Sequence, residues 1–452
     1  MRMFLRAPAI VLFLAALAFS AWGSGDLPPT EPFRVTFSTN EDYDTSLYAS
    51  DEGLAEVEKD FQLVKELGLS HLRVSFSWSN YERLKGNFQN LEWLHQFVDL
   101  ADKYAITLMP YLCYAPDWVG EFGEWNDKPK DNRDWYNFVH RMVSEFKSQI
   151  HYWEIWNEED LQQWFFGTMD DYIEFFKAGA SAVRDADPTA KILVGGLTQP
   201  LDTWVAALLD KGCGDLFDVV PIHCYAESWS GRAVEDYLYE GGTDFDLIAD
   251  LLHTRGRGQP IWLNEIGYPT IGRKTEIDQA RFIWRAVATL LATRHISLIS
   301  WYEIKDFRQD TSLGVIGDAN NYHLGLTYAD RRKKLGFAAY KTMVSLFNEE
   351  DLTYLGPAVS WSEEKKSAHE PRIYLHAFRR ESDGRVLLFV WLYGPIAGTR
   401  VTLNLPAAIV SASEYALDGA RTEVSGFAGR RLKGIELKQD EPRLFELILA
   451  DR

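Results

Sequence analysis

Eight short apolar runs rich in β-branched and aromatic residues recur between residues 34 and 302, and a stretch of helical period separates each from the next. They begin at Arg34 (RVTFS), His71 (HLRVSFS), Ile106 (ITLMPYL), Tyr152 (YWEIW), Lys191 (KILVGG), Phe217 (FDVVPIH), Pro260 (PIWLNE) and Ile296 (ISLISWY). Between them, Leu54, Val57, Phe61, Val64 and Leu67 share one helical face. So do Leu91, Leu94, Phe97, Val98 and Ala101, and later Trp135, Phe138, Val139, Met142 and Phe146. Short strands alternating with amphipathic helices bury both faces of a parallel sheet. Eight such units predict a (β/α)8 barrel rather than an open sheet, with residues 336–347 as the last helix. No glycine-rich phosphate loop follows the first run, which argues against dinucleotide binding.

Beyond residue 351 the texture changes. Runs such as RIYLHAF, RVLLFVWLY, RVTLNL, KGIELK and RLFELILA are strand-like, and Gly, Pro, Asn and Asp separate them. They predict a small β-sandwich. The expected organisation is a leader over 1–23, a barrel over 30–350 and a sandwich over 351–452.

The leader reading rests on Arg2 and Arg6, the apolar stretch Ala9 to Ala18, and Ala21-Trp22-Gly23 as a cleavage site. It predicts a secreted or periplasmic protein, with an uncleaved anchor as the alternative. The three cysteines, Cys113, Cys213 and Cys224, are too few for a disulfide framework and lack zinc spacing. Buried free thiols are expected. A net charge of −19 disfavours nucleic acid and anionic membrane surfaces as partners. The chain carries 16 Trp, which fits either a Trp-rich core or a cleft whose indole faces stack on sugar rings. Nothing in the sequence sets the oligomeric state.

Reactive residues of such barrels sit at the C-terminal ends of the strands. Here those positions hold Arg73 on the second strand, Trp156-Asn157-Glu158 after the fourth, His223-Cys224-Tyr225 after the sixth, Asn264-Glu265 on the seventh and Trp301 on the eighth. Two carboxyl groups aimed into one cleft suit glycoside cleavage: one protonates the leaving oxygen while the other attacks or activates water. A separation of about 5–5.5 Å gives retention and about 6.5–9.5 Å gives inversion. Trp118, Trp125, Trp164 and Trp229 fall in or near top-face loops, where packing and sugar stacking are both open readings. Asp306 fits either sugar binding or a cap. Strand alternation points Glu154 elsewhere, and Glu159 lies beyond the strand, so neither is a candidate.

The stretch YWEIWNEED at 152–160, with Trp164 and the helix from Asp171, resembles clan A of the glycoside hydrolases. So do Trp78 through Glu82, Gly86 and Phe88, then Pro110-Tyr111 with Pro116 and Trp118, and IWLNEIGY at 261–268. Within the clan the chain is most similar to family 39, over residues 34–347, and members of that family often carry a β-rich domain after the barrel. The resemblance implies that Glu158 is the acid and then the base, and that Glu265 is the nucleophile. By the same resemblance Asn157 binds the 2-hydroxyl, and Tyr225 holds Glu265 ionised. Arg73 lies beneath Glu265 and depresses its pKa, His223 keeps Glu158 oriented and protonated, and Trp301 floors the subsite for the non-leaving sugar. Asn264 departs from the Thr or Ser common before the nucleophile. The implied activity is retaining hydrolysis of a β-linked oligo- or polysaccharide, with no metal or cofactor. The rivals are a transglycosylase on the same site and a catalytically inactive carbohydrate-binding barrel.

Overall fold

The computed structural model describes residues 31–235, 244–307, 318–364 and 371–450, so the leader expected over 1–23 lies outside the described residues. The chain opens with the two-residue strand β1 (Phe33–Arg34) and enters a barrel of eight parallel strands. These are β2 (Thr36–Asn40), β3 (His71–Ser77), β4 (Thr107–Cys113), β5 (Tyr152–Ile155), β6 (Lys191–Leu193), β7 (Val220–His223), β8 (Ile261–Ile266) and β9 (Ile296–Trp301). Neighbours run β6-β5-β4-β3-β2-β9-β8-β7, and isolated bridges Leu193–Val219 and Leu197–Ile222 join the last seam.

One long helix follows each barrel strand: α1 (Asp51–Leu67), α2 (Leu91–Lys103), α3 (Asn132–Phe146), α4 (Met169–Ala186), α5 (Asp202–Asp210), α6 (Asp244–Arg255), α7 (Glu276–Thr293) and α8 (Leu335–Phe347). Local chemistry sets several boundaries. Ser50 caps α1 by accepting from the Gly53 N–H, and Gly68, at φ +85°, ends it in the left-handed region. Thr168 with Asp171, and Thr275 with Asp278, form reciprocal capping boxes at the starts of α4 and α7. Their apolar faces pack on the outside of the barrel, where Val57, Phe61, Val64 and Leu67 of α1 are almost fully buried. Cys113, Cys213 and Cys224 are free and buried. Among the described residues no helix is long and apolar enough to cross a membrane.

The C-terminal part has β10 (Asp351–Tyr354), β11 (Ser360–Glu363), β12 (Arg372–Arg380), β13 (Val386–Tyr393), β14 (Gly398–Asn404), β15 (Ile409–Tyr415), β16 (Arg421–Glu423), β17 (Phe427–Ala428), β18 (Arg431–Lys438) and β19 (Arg443–Leu449). They form two antiparallel sheets, ordered β1-β10-β12-β13-β19-β15-β16 and β11-β14-β18-β17. Strand β13 shows how the layers stack. Val386, Leu388, Val390 and Leu392 fill the space between the sheets, while Leu387, Phe389 and Trp391 belong to the barrel's core cluster. The same sheet takes β1 as its edge strand, so residues 33 and 34 pair with β10 before the chain enters the barrel. The segment beginning at Arg34 is therefore split between the two layers. A buried polar contact also crosses this boundary: the Trp391 indole donates to Glu235 at 2.8 Å, and Arg285 holds both Glu235 and Glu227.

Candidate active site

At the C-terminal end of the barrel, Arg73 is the organising side chain. It is almost completely buried, and all five of its N–H groups are spoken for. Nε and Nη2 grip the two oxygens of Glu154 at 2.8 Å each, and Nη2 also donates to the Asn157 oxygen at 2.7 Å. Nη1 donates to Glu265 at 2.8 Å and to Asn40 at 3.3 Å. The Tyr111 ring lies 4.1 Å from the guanidinium carbon. Glu154 further accepts from Asn264 and from the Gly196 N–H.

Glu154 therefore faces the barrel interior, directly below the site, contrary to the expectation from alternation. The reason lies at the end of β5. The strand stops at Ile155, and Trp156 (φ +78°) and Glu158 (φ +53°) take left-handed backbone, which L residues rarely adopt. Counting sides back from Asn157, which also faces Arg73, across that turn assigns Glu154 to the wrong face. The turn is held by the Trp156 N–H on Leu112 and the Glu158 N–H on Gly196. Glu159, beyond it, is buried beside Gly195 and away from the cleft.

Glu158 and Glu265 are brought together as expected. A carboxyl oxygen of each and a ring nitrogen of His223 all lie within 4.8 Å of one another. His223 Nδ1 is 2.8 Å from Glu158, its Nε2 is 3.5 Å from Glu265, and the ring is fully buried. There is room for it because residue 196 is glycine: a Cβ there would stand 2.2 Å from His223 Nε2. The Tyr225 hydroxyl donates to Glu265. Asn157 is fixed through its oxygen by Arg73, which leaves its amide N–H groups to donate into the cleft.

The two carboxyl groups have different surroundings. Burial and the neighbouring Asp160 carboxylate push Glu158 up to about 8, with Arg73 opposing. Asp160 is held by the N–H and hydroxyl of Thr198. Burial also pushes Glu265 above its usual range, against the pull of groups that include Arg73 and the Tyr225 hydroxyl. The expected depression by Arg73 is thus a counterweight that burial exceeds. What separates the pair is contact: Glu265 touches a guanidinium and Glu158 touches an imidazole. Burial pushes His223 below its usual value, so that imidazole is neutral near pH 7.

Trp301 does not floor the cleft. It is 1% exposed, its indole donates to Leu324 outside the barrel wall, and its ring packs against Phe282 of α7 and Tyr340 of α8. Successive strand residues face opposite sides, so the inward position passes to Tyr302, within electrostatic reach of Glu265. Trp118 is drawn away too. Its indole donates to the Glu82 carbonyl and its ring packs on Trp78. Trp164 stays beside the cleft, with Trp125 at 5.5 Å and Tyr114 at 6.2 Å between ring centres. Tyr114 in turn lies within electrostatic reach of Glu158 and Glu265. Trp229 packs edge-on against Tyr225 at 4.4 Å. Asp306 is structural, bonded to Lys334 and to the Gly325 N–H.

Among the described residues, Glu158, His223 and Glu265 are the one group of three with spacing for a metal ion. Their chemistry speaks against that use. Glu265 is already paired with Arg73, and the imidazole nitrogen facing Glu158 is engaged. The set instead presents two carboxyl groups in different surroundings to one small gap.

Residues 34–242 match the profile of Glycosyl hydrolases family 39. The fold is similar to a family 39 glycoside hydrolase from the gut symbiont Bacteroides cellulosilyticus WH2, with a TM-score of 0.70 at 18% identity, over 92% of this chain and 81% of that one. It is also similar to a monomeric beta-xylosidase from Caulobacter crescentus CB15, with a TM-score of 0.62 at 15% identity, over 94% of this chain and 98% of that one. A GH30 endoxylanase from Clostridium papyrosolvens C71 gives a TM-score of 0.62 at 14% identity, over 94% and 98%. At these identities the structural likeness is one of fold. A search of curated proteins gives no match.

Proposed function

We propose that this chain, a family 39-like glycoside hydrolase, cleaves β-linked glycosides of an oligo- or polysaccharide with retention of anomeric configuration. The observation that carries the reading is the narrow gap between the two carboxyl groups, whose facing oxygens lie within 4.8 Å. Facing oxygens this close belong with direct attack, for which the carboxyl groups stand about 5–5.5 Å apart, rather than with an interposed water, for which they stand about 6.5–9.5 Å apart.

In the first step a Glu265 oxygen forms a bond to the anomeric carbon, the glycosidic C–O bond breaks, and Glu158 passes its proton to the departing oxygen. Glu158, now a carboxylate, then takes a proton from water as that water attacks the glycosyl-enzyme, and Glu265 is released. Tyr225 and Arg73 hold Glu265 in line, and the Asn157 amide donates to the 2-hydroxyl, a contact that strengthens as charge develops on the ring. The paired relatives, a xylosidase and an endoxylanase by name, support a neutral β-linked sugar as substrate. Export belongs to the same reading, supported by the composition of residues 1–23.

Proton NMR of the first product tests it. Hydrolysis of a 4-nitrophenyl β-glycoside is expected to release the β-anomer before mutarotation; the α-anomer as first product contradicts retention. An added acceptor sugar that captures most of the glycosyl group would favour the transglycosylase reading.

A further inference from the structure

The mechanism leaves one cleft carboxylate unused. Asp42 follows β2, two residues beyond Asn40. Asn40 points into the barrel, donating to Ser300 and to the Asn264 carbonyl and accepting from Arg73. A strand repeats its facing every second residue, so Asp42 rises above Asn40 on the cleft side. Its neighbour Glu41 faces outward, to Lys305 and the first helix layer. The Asp42 carboxylate is locked in place. Oδ1 accepts from the Ser75 N–H at 2.8 Å, and Oδ2 accepts from the Tyr111 hydroxyl at 2.7 Å. The Tyr111 ring is the one lying on Arg73, so a single ring and a single guanidinium connect Asp42 to Glu265. Tyr302 and Tyr114, the phenols beside the nucleophile, both lie within electrostatic reach of Asp42.

Two features give this placement a chemical consequence. Each Asp42 oxygen has one further lone pair, and the residue is only partly buried, unlike Glu158 and Glu265. It is therefore an oriented acceptor with no donor of its own. Arg73, meanwhile, has spent every N–H on Glu154, Asn157, Glu265 and Asn40 and has none left for a ligand. Three further described cations are also engaged: Lys305 by Glu41 and Asp60, Lys334 by Asp306, and Arg285 by Glu227 and Glu235.

We propose that Asp42 is a specificity-determining residue: it accepts hydrogen bonds from hydroxyls of the non-leaving sugar, and with Glu265 it excludes sugars that carry a carboxylate. The substrate class is thereby a neutral glycone. An acidic sugar in this place meets a second carboxylate, and among the described residues Arg73, the cation beneath it, has no N–H to spare. The inference rests on the hydrolase reading above.

The test compares 4-nitrophenyl β-D-xylopyranoside, β-D-glucopyranoside and β-D-glucuronide in the full chain and in Asp42→Asn. The wild type is expected to favour the better neutral substrate over the glucuronide by at least about 100-fold in kcat/KM, the scale of a fixed like-charge contact. In Asp42→Asn that ratio should shrink about tenfold or more, because the amide keeps the shape and removes the charge. The ratio is read within one preparation, so partial unfolding of the variant cancels from it. A glucuronide preference in the wild type, or an unchanged ratio in Asp42→Asn, overturns the role given to Asp42 while the hydrolase reading stands. No turnover of any of the three by the wild type counts against the hydrolase reading itself, and the proposal falls with it.

Discussion

At the residue scale, the chemistry turns on one proton. Glu158 sits without a cation in contact, and Asp160 stands behind it as a fixed negative neighbour. The acid form of Glu158 persists up to about pH 8 in the free protein and is lost as pH rises through that value. Asp160→Asn removes a charge that disfavours ionisation. It should therefore move the alkaline limb of kcat/KM to lower pH, by about one unit. A pH–rate profile checks this; an unmoved or raised limb would contradict the role given to Asp160. Glu158, Glu265, Arg73, Asn157, His223 and Tyr225 were legible in the sequence because acids, amides and imidazoles at strand ends have few other reasons to be there. Glu154 was not, since nothing in the letters marks left-handed backbone at Trp156 and Glu158. Trp301 misled for a related cause: on a strand, an error of one residue exchanges wall for cleft.

At the element scale, the barrel places its chemistry through strand ends and the turns after them. The segment after β6 is the clearest case. Gly195 and Gly196 give way to Glu159 and His223, and the Gly196 N–H and carbonyl bind Glu154 and Glu158. A methyl at position 196 would meet the imidazole at 2.2 Å, with backbone on one side and a buried ring on the other. Gly196→Ala should displace His223 and lower kcat by about 100-fold or more, on the scale of misplaced catalytic groups, with KM changing less. Kinetics on a chromogenic glycoside decide it, and near-normal kcat would show that His223 does not have to hold this position. The eight strands and their helices were legible because each apolar run needs burial on both faces. The split at residues 33–36 was not, because a two-residue edge strand carries too little pattern to register.

At the scale of the whole molecule, barrel and sandwich share one apolar interface. Phe347 of the last barrel helix stacks on Phe389 of β13, Trp391 reaches Glu235, and β1 joins the sandwich sheet from the other end of the chain. A hydrophobic interface shared in this way couples the two layers. Calorimetry of the full chain should give a single transition; two well-separated transitions would contradict a shared core. The sandwich itself was legible from its strand-like runs, but its sharing of the barrel core was not, because which face of β13 meets a helix is a tertiary choice. On the proposed reading, the molecule sets one acid and one nucleophile across a narrow gap. The most direct measurement is covalent trapping. A 2-deoxy-2-fluoro glycosyl fluoride of an accepted neutral sugar, followed by digestion and mass spectrometry, should leave one sugar on the peptide bearing Glu265 and none on that bearing Glu158. Stable labelling at Glu158, or turnover of the reagent with no labelled carboxylate at any stage, would contradict the account.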